Sequence, residues 1–127
     1  MELASGVSIV SIELIEKRLK QKRNLLKTLF TSAEIKYCES KRHRAEHYAA
    51  RLAAKEACLK ALGHSSDEKF FSQIEVTRKS TGQPALKIPP AFLVHSPWAH
   101  AQIHLSMAHE RDAAVAFVLF SKSRGTK

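Results

Sequence analysis

The sequence is poor in cysteine and contains no long hydrophobic run. Its two cysteines, Cys38 and Cys58, lack the spacing of a metal-binding motif, so we interpret them as reduced thiols. No apolar stretch approaches the roughly 20 residues that span a bilayer. The first residues lack the basic segment and the unbroken apolar core of a secretory signal. We therefore expect a cytoplasmic protein with no membrane partner.

Acidic and aromatic residues are also scarce. The 127 residues include 21 Lys and Arg against 12 Asp and Glu, a net charge of +9, and only 7% are aromatic. This balance predicts an anionic partner, such as a nucleic acid, a phosphorylated cofactor or an acidic protein. Aromatic side chains are not interleaved with the basic ones, and no recognised nucleic-acid motif occurs. We therefore do not expect nucleic acid to be the partner.

Basic charge is concentrated in one segment near the N-terminus. Residues 17–27 contain six basic residues and no acidic one: Lys17, Arg18, Lys20, Lys22, Arg23 and Lys27. Such a run is either a solvated helix face or a docking surface, and its local excess of one sign favours docking. Residues 121–127 form a basic tail that we expect to be frayed.

The first half of the chain predicts one strand followed by helices. Gly6 to Ile12 is rich in β-branched residues and predicts a strand, and helical spacing then continues from Ile12 to Phe30. TSAE, residues 31–34, is a capping box that opens a helix ending near residue 39. Arg44 to Leu62 is the clearest helix, and Gly63 follows it as a C-cap.

The second half of the chain predicts strands. They are expected at Gln73–Arg78, Ala85–Ile88, Ile103–Met107 and Ala113–Phe120, with a turn at Gly82 and an irregular or helical connection from Ala91 to Ala101. The last strand is almost continuously apolar and is expected at the centre of the sheet. This order predicts a single α+β domain, residues 1–127, in which a mostly antiparallel sheet packs against a long helix and shorter helices.

Five motifs occur in order along the chain. The first is GVSIVSIELI, residues 6–15, the second FTSAE, residues 30–34, and the third RLAAKEACLKALG, residues 51–63. The turn GQP, residues 82–84, and HLSMAH, residues 104–109, complete the set. In order and spacing they resemble holo-(acyl-carrier-protein) synthase, the small trimeric class of 4'-phosphopantetheinyl transferases. The resemblance covers nearly the whole chain.

The resemblance implies an enzyme that moves 4'-phosphopantetheine from coenzyme A to a serine of an apo-acyl carrier protein and releases 3',5'-ADP. It implies a homotrimer that binds coenzyme A between subunits, with Mg²⁺ on the pyrophosphate. The metal would be held by Glu56 and by position 8, where the family has an aspartate and this chain has Ser8. Glu56 and Lys60 would be catalytic, and they share a helix face because they lie four residues apart. The alternative for that pair is a surface ion pair.

Further residues are implied in cofactor and carrier binding. Besides Lys60, the cofactor would be bound by Arg42, His43, Arg44, Arg51, Gly63, Pro84 and His109. For Arg42, His43 and Arg44 the alternative is a solvated helix start, and for His109 a hydrogen-bonded structural histidine. The six basic residues between positions 17 and 27 would steer and orient an acidic carrier protein, whether of fatty-acid or of polyketide synthesis.

Two residues and one loop depart from the family pattern at the implied site. Ser8 replaces a carboxylate with a neutral and weaker metal ligand. Leu14 stands where the family has an arginine that contacts the carrier, and His64-Ser65-Ser66 replaces a loop richer in glycine. Glu13 is not expected to replace the missing acid, because it lies five residues beyond Ser8 and would point to the other face of a strand.

Three interpretations of these departures stay open. The chain is an active transferase whose Mg²⁺ is held by Glu56, pyrophosphate and water, with Ser8 positioning a water. Alternatively, it is a catalytically weakened relative that binds coenzyme A or carrier protein without efficient transfer, or Ser8 and Leu14 are substitutions of a particular strain. Glu56, Lys60 and Arg51 all remain, which favours the active enzyme.

Overall fold

The computed structural model of the chain describes residues 1–21, 24–64 and 67–123. In its first half, β1 is Glu2–Ser11, and the helices are α1, Ile12–Gln21, α2, Leu25–Leu29, α3, Ser32–Glu39, and α4, Arg44–Ala61. A 3₁₀ helix, Glu68–Gln73, leads into β2, Glu75–Arg78, and β3, Pro84–Lys87. The short α5, Pro90–Leu93, precedes β4, Gln102–His109, and β5, Ala113–Lys122.

The main sheet is antiparallel, with strand order β1-β5-β4. The apolar strand β5 lies at its centre, as its sequence predicts, and the β4–β5 hairpin closes with Glu110 N donating to Ala113 O. β2 and β3 form a separate antiparallel pair, whose turn contains Gly82 at φ 90°. The α+β class with a mostly antiparallel sheet is therefore confirmed.

Helix α4 lies against the inner face of the main sheet and is nearly surrounded by protein. Its alanines and Leu59 are buried, together with Val118 and Phe120 of β5. The close approach of α4 to β1 depends on Gly6, because a Cβ added there would lie 2.1 Å from Ala57 O. This contact sets the position of the residues that follow Gly6 in β1.

The outer face of the main sheet carries an exposed apolar patch on β1 and β5. Cross-strand register pairs Val7 with Phe117 and Ile9 with Val115, so these side chains share that face. Ile9 is 72% exposed and Phe117 44%. A contiguous apolar patch of this kind is typical of an interaction surface.

A buried ion pair joins the helices to β2. Lys55 Nζ donates to Glu34 Oε1 at 2.5 Å, to Leu29 O at 2.8 Å and to Phe71 O at 2.7 Å, and both charged side chains are fully buried. Glu34 Oε2 accepts from Val76 N at 2.8 Å. Glu34 also completes the predicted capping box of α3 with Thr31. These contacts make the pair a structural anchor between α2, α3, α4 and β2.

Several predicted boundaries differ from the structure. Ile12 begins α1 rather than ending β1. Of the helical stretch predicted from Ile12 to Phe30, α1 and α2 are observed, and residues 22 and 23 lie outside the described residues. Gln73, predicted to begin a strand, ends the 3₁₀ helix. Ser121 and Lys122, placed in the predicted frayed tail, pair with β1, and residues 124–127 of that tail lie outside the described residues. Within the described ranges, no helix has the length and apolar character needed to cross a membrane.

Candidate active site

Ser8, Glu56 and Lys60 come together where β1 crosses α4. Ser8 Oγ donates to Glu56 Oε1 at 3.1 Å, and Lys60 Nζ donates to Val7 O at 3.1 Å. Ser8 is 6% exposed, Glu56 is half-buried, and Lys60 is exposed. We call these three residues the acid–amine site. Its geometry follows from the missing side chain at Gly6, which lets the strand approach the helix.

The acid–amine site can present one negative and one positive group to a ligand. Glu56 and Lys60 lie about 40° apart around the helix, so both side chains leave α4 on one side. A carboxylate oxygen is the kind of hard ligand that Mg²⁺ takes, usually one or two carboxylates with substrate phosphates and water. Ser8 contributes a hydroxyl that is already bonded to Glu56. The donor set thus fits a magnesium ion that shares its coordination with a phosphorylated substrate.

Glu13 does not approach this site, although the reason differs from the sequence-based one. It lies in the first turn of α1 rather than in a strand, with its side chain 77% exposed and 3.4 Å from Lys17 Nζ. Leu14 is also on α1 and is 59% exposed. Glu56 is therefore the carboxylate that the described residues bring to Ser8.

A second cluster, of positive charge, surrounds Tyr37. The Arg51 guanidinium lies 4.2 Å from the Tyr37 ring centroid, that of Arg78 4.9 Å, and Lys41 Nζ 4.6 Å. Arg51 is only 2% exposed, and its Nε has no hydrogen-bond partner within the described residues. We call Tyr37, Lys41, Arg51 and Arg78 the Tyr37 cluster. Its charge suits an anion such as a phosphate.

His109 and His47 lie beside the Tyr37 cluster. The two rings are 5.1 Å apart, and His47 also contacts the Tyr37 ring edge-on. His109 Nδ1 lies 3.0 Å from Glu46 Oε1. Burial lowers the pKa of His47, and the neighbouring positive charges, His109 first among them, lower it further. His109 is thus a hydrogen-bonded histidine that also borders a region of positive charge.

The Tyr37 cluster and the acid–amine site lie on opposite sides of α4. Arg51 and Lys60 are nine residues apart, which is about 180° around the helix. The sequence predicts both as ligands of one cofactor, but a single chain does not bring them together. A site that uses both needs either a long ligand or a second copy of the chain.

The predicted phosphate-binding residues at the start of α4 line a separate cleft of about 570 Å³. Arg42 and His43 are exposed there, with Lys20 and Arg111 on its other walls. Arg44 also lines it, but its Nη1 donates to Glu39 Oε2 at 2.8 Å. The hydrogen bond from Tyr48 and the charge of Arg44 lower the pKa of Glu39. Arg44 therefore has a close acidic partner, whereas Arg42 and His43 are exposed at the cleft, with His43 Nδ1 4.0 Å from Glu46 Oε2.

Gly63 and Pro84 lie outside these clusters. Gly63 follows α4 at φ 79°, in the region that favours glycine, so its position is explained by the end of the helix. Pro84 begins β3 and lines a cleft with His104 and Ser106 of β4. A role for either residue in cofactor binding stays a prediction.

The predicted carrier-binding residues have unequal surroundings. Lys17 is 3.4 Å from Glu13, and Arg18 donates to Glu68 at 2.8 Å, so acidic partners already offset both charges. Lys20 and Lys27 are exposed on α1 and α2. Lys22 and Arg23 lie outside the described residues. Lys20 and Lys27 can therefore contact an acidic partner directly, whereas Arg18 would first have to leave Glu68.

Sequence reasoning missed Tyr37, Glu46, His47 and Arg78 as neighbours of predicted ligands, because they meet only through the fold. It also missed the burial of Lys55. One signal was present, since Lys55 occupies a position in the apolar stripe of Tyr48, Leu52 and Leu59. A lysine at such a position predicts a buried cation that needs an acidic partner.

The sequence and fold of this chain are similar to those of known proteins. Residues 4–118 match the model of the 4'-phosphopantetheinyl transferase superfamily. A holo-[acyl-carrier-protein] synthase of Cytophaga hutchinsonii is 39% identical over 123 residues, which cover 93% of this chain and 96% of the relative.

Two solved structures share the fold over nearly all of both chains. A holo-(acyl-carrier-protein) synthase from Bacillus anthracis in complex with CoA (3',5'-ADP) has a TM-score of 0.78 at 28% identity, covering 94% of this chain and 96% of that one. A Chronobacterium ammoniagenes ACPS–CoA complex has a TM-score of 0.83 at 27% identity, covering 98% and 100%.

Proposed function

Because this chain belongs to the 4'-phosphopantetheinyl transferase superfamily and is an enzyme of that kind, we propose that it converts an apo-acyl carrier protein to the holo form. Phosphopantetheine would pass from coenzyme A to a carrier serine, with 3',5'-ADP as the second product. The similar proteins carry the matching name, and the Bacillus anthracis structure contains CoA (3',5'-ADP). The observation that carries the proposal for this chain is the acid–amine site, with Glu56 and Lys60 on one side of α4.

The chemistry asks the protein mainly to position the reactants and to neutralise charge. The serine oxygen forms a bond to the phosphorus that carries pantetheine, the bond to the bridging oxygen breaks, and the serine proton is released to solvent. Mg²⁺ bound to Glu56 would supply charge neutralisation on the pyrophosphate. Lys60, whose ammonium already meets the Val7 carbonyl, would donate to a phosphate oxygen or to the leaving group.

The complete site would lie between copies of the chain. Arg51 and His109 would suit the 3'-phosphate of coenzyme A. Arg51 lies across α4 from Lys60, and His109 contacts Glu46, about 21 Å from Lys60 along the helix axis. The apolar outer face of the main sheet, with Ile9 and Phe117 exposed, offers a surface for assembly. We propose a homotrimer in which one copy supplies the acid–amine site and its neighbour supplies the Tyr37 cluster and His109.

Mixing two inactive variants tests this shared site. Glu56→Gln and His109→Ala each remove one half of it, so each alone would lose most activity. In trimers assembled at random from equal amounts of the two variants, about a quarter of the sites would pair an intact Glu56 from one variant with an intact His109 from the other. These mixed trimers should therefore recover part of the activity. Refolding the variants together and measuring transfer checks this expectation. No recovery, with mixed assemblies shown by native mass spectrometry, would contradict a site shared between copies.

The carrier protein would dock along α1 and α2, where Lys20 and Lys27 are exposed. An acidic helix on the carrier would be steered there, and the rate of association would fall with salt. Reduced conditions suit the two buried free cysteines, and we propose that the enzyme works in the cytoplasm. The alternative of a weakened relative has no support from the similar proteins.

The direct test is transfer to a carrier protein. We expect apo-acyl carrier protein, coenzyme A and Mg²⁺ to give a carrier heavier by one phosphopantetheine group, detected by intact-mass spectrometry. Glu56→Gln should abolish the addition, whereas Glu13→Gln, which removes an exposed carboxylate on α1, should not. Coenzyme A binding without any mass addition would instead indicate a scaffold that binds without chemistry.

A further inference from the structure

We propose that Ser8 makes metal binding conditional, so that this chain takes up a divalent cation only together with the pyrophosphate of coenzyme A. The inference rests on the proposed function and specifies how the divalent cation of that function is bound. It assigns Ser8 a positioning role toward Glu56 rather than a place as a strong ligand. Its basis is the charge and the hydrogen bonding of the acid–amine site.

The acid–amine site has no net charge. Glu56 carries one negative charge, Lys60 carries one positive charge, and the Ser8 hydroxyl is neutral. The Ser8 hydroxyl donates to Glu56 Oε1, so part of the carboxylate's capacity as an acceptor is already used. Divalent affinity rises with the number of charged ligands, so a site of this composition attracts a free cation weakly.

The surroundings supply no further ligands of the usual kind. Across residues 1–21, 24–64 and 67–123, there is no group of three or more His, Cys, Asp or Glu side chains that could hold a metal ion. The chain as a whole carries a net charge of +9, which also disfavours a free cation. The remaining ligands must therefore come from water and from the substrate.

A pyrophosphate changes this balance. It brings negative charge and hard oxygen ligands, and Lys60 can donate to one phosphate oxygen while Glu56 meets the metal. Coenzyme A and the cation then raise each other's affinity by the same factor, because coupling between two ligands is reciprocal. The metal is thus recruited as part of a complex with the cofactor.

Titration with Mn²⁺, followed by the paramagnetic resonance signal of the free ion, tests this dependence. Wild-type protein without coenzyme A should sequester no more Mn²⁺ than Glu56→Gln does. With coenzyme A present, wild type should bind Mn²⁺ at least about tenfold more tightly than it does alone. Two control titrations, one with coenzyme A alone and one with coenzyme A and Glu56→Gln, measure the Mn²⁺ that the cofactor itself chelates. This amount is subtracted from the wild-type result.

Substitution at position 8 tests the assignment to Ser8. Ser8→Asp adds a second carboxylate and should raise the affinity for Mn²⁺ without coenzyme A by roughly tenfold or more. Ser8→Asn introduces a side chain of the same size as aspartate but without its charge. Its affinity for Mn²⁺ without coenzyme A should therefore match that of wild type. Circular dichroism and thermal melting check that both variants fold, and the wild-type comparison stands without them.

The outcomes separate this inference from the proposed function. If wild type binds Mn²⁺ equally tightly with and without coenzyme A, and Glu56→Gln abolishes that binding, the conditional site is refuted. No gain in Ser8→Asp, when folded, refutes the role of Ser8. If coenzyme A fails to bind wild type in calorimetry with Mg²⁺ present, the proposed function itself fails.

Discussion

Replacing Gly6 with alanine should separate β1 from α4 and disturb the acid–amine site. The added Cβ would lie 2.1 Å from Ala57 O and 2.9 Å from Ala61 N, and both obstacles are backbone atoms of a buried helix. Carbon–oxygen contacts normally begin near about 3.3 Å, so strand and helix must move apart by about 1 Å. The φ angle of Gly6 is not positive, so the whole effect is steric.

The expected cost has a structural and a catalytic part. Overpacking a core costs about 1–3 kcal/mol and sometimes more, and an obstacle made of backbone puts Gly6→Ala at about 3 kcal/mol. Ser8 lies two residues further along β1, so the same shift lengthens its hydrogen bond to Glu56. A misplacement of about 1 Å can cost about 10²-fold in rate, so activity should fall further than stability explains.

Urea unfolding at fixed protein concentration, with transfer activity measured below the transition, checks both parts. Gly82→Ala is the matched control, because a Cβ there meets nothing within 4 Å and only the φ of 90° opposes it. That control should lose about 1–2 kcal/mol and retain the chemistry of the site. A Gly6→Ala protein within about 0.5 kcal/mol of wild type and with full activity would refute the steric argument.

Three further predictions follow from other parts of the fold. Lys55→Met should lower the free energy of unfolding by about 3–5 kcal/mol, because it leaves the buried Glu34 carboxylate unpaired, and adding Glu34→Gln should recover part of the loss in denaturant titrations. Phe117→Glu should reduce the assembled mass in light scattering, whereas Val94→Glu, at an exposed apolar residue off the sheet, should leave it unchanged. Burial lowers the pKa of His47, so the unfolded state binds the proton more readily and stability should fall as pH drops below about 6.5. His47→Gln should flatten that fall in urea unfolding followed from about pH 7 to pH 5, and an equal slope in both proteins would contradict it.

The elements that the sequence predicted well are those with strong local signals. Helix α4 was expected from Arg44 to Leu62 and is observed from Arg44 to Ala61, because its caps and its apolar stripe lie within the segment itself. The capping box of Thr31 and Glu34 and the positive φ of Gly82 are likewise local. The pairing of Glu56 and Lys60 on one side follows from helical period alone.

Features that depend on distant contacts were not accessible in this way. Gly6 looks like any strand glycine until α4 is packed against it. Arg51 was grouped with Lys60 because they share a motif, although helical period already puts them on opposite sides. Residues that share a motif can therefore contribute to one function without lying close together within one chain.

Helix α4 therefore holds candidate ligands on two opposite sides. Its buried alanines keep β1 and β5 close, which fixes the acid–amine site on one side, while Arg51 is held on the other side under Tyr37. Neither side can be moved toward the other without breaking the contact at Gly6 or unburying Lys55. In the proposed trimer, coenzyme A would join the two sets across a neighbouring copy. The exposed sheet face around Phe117 is the surface of this chain that such a neighbour would cover.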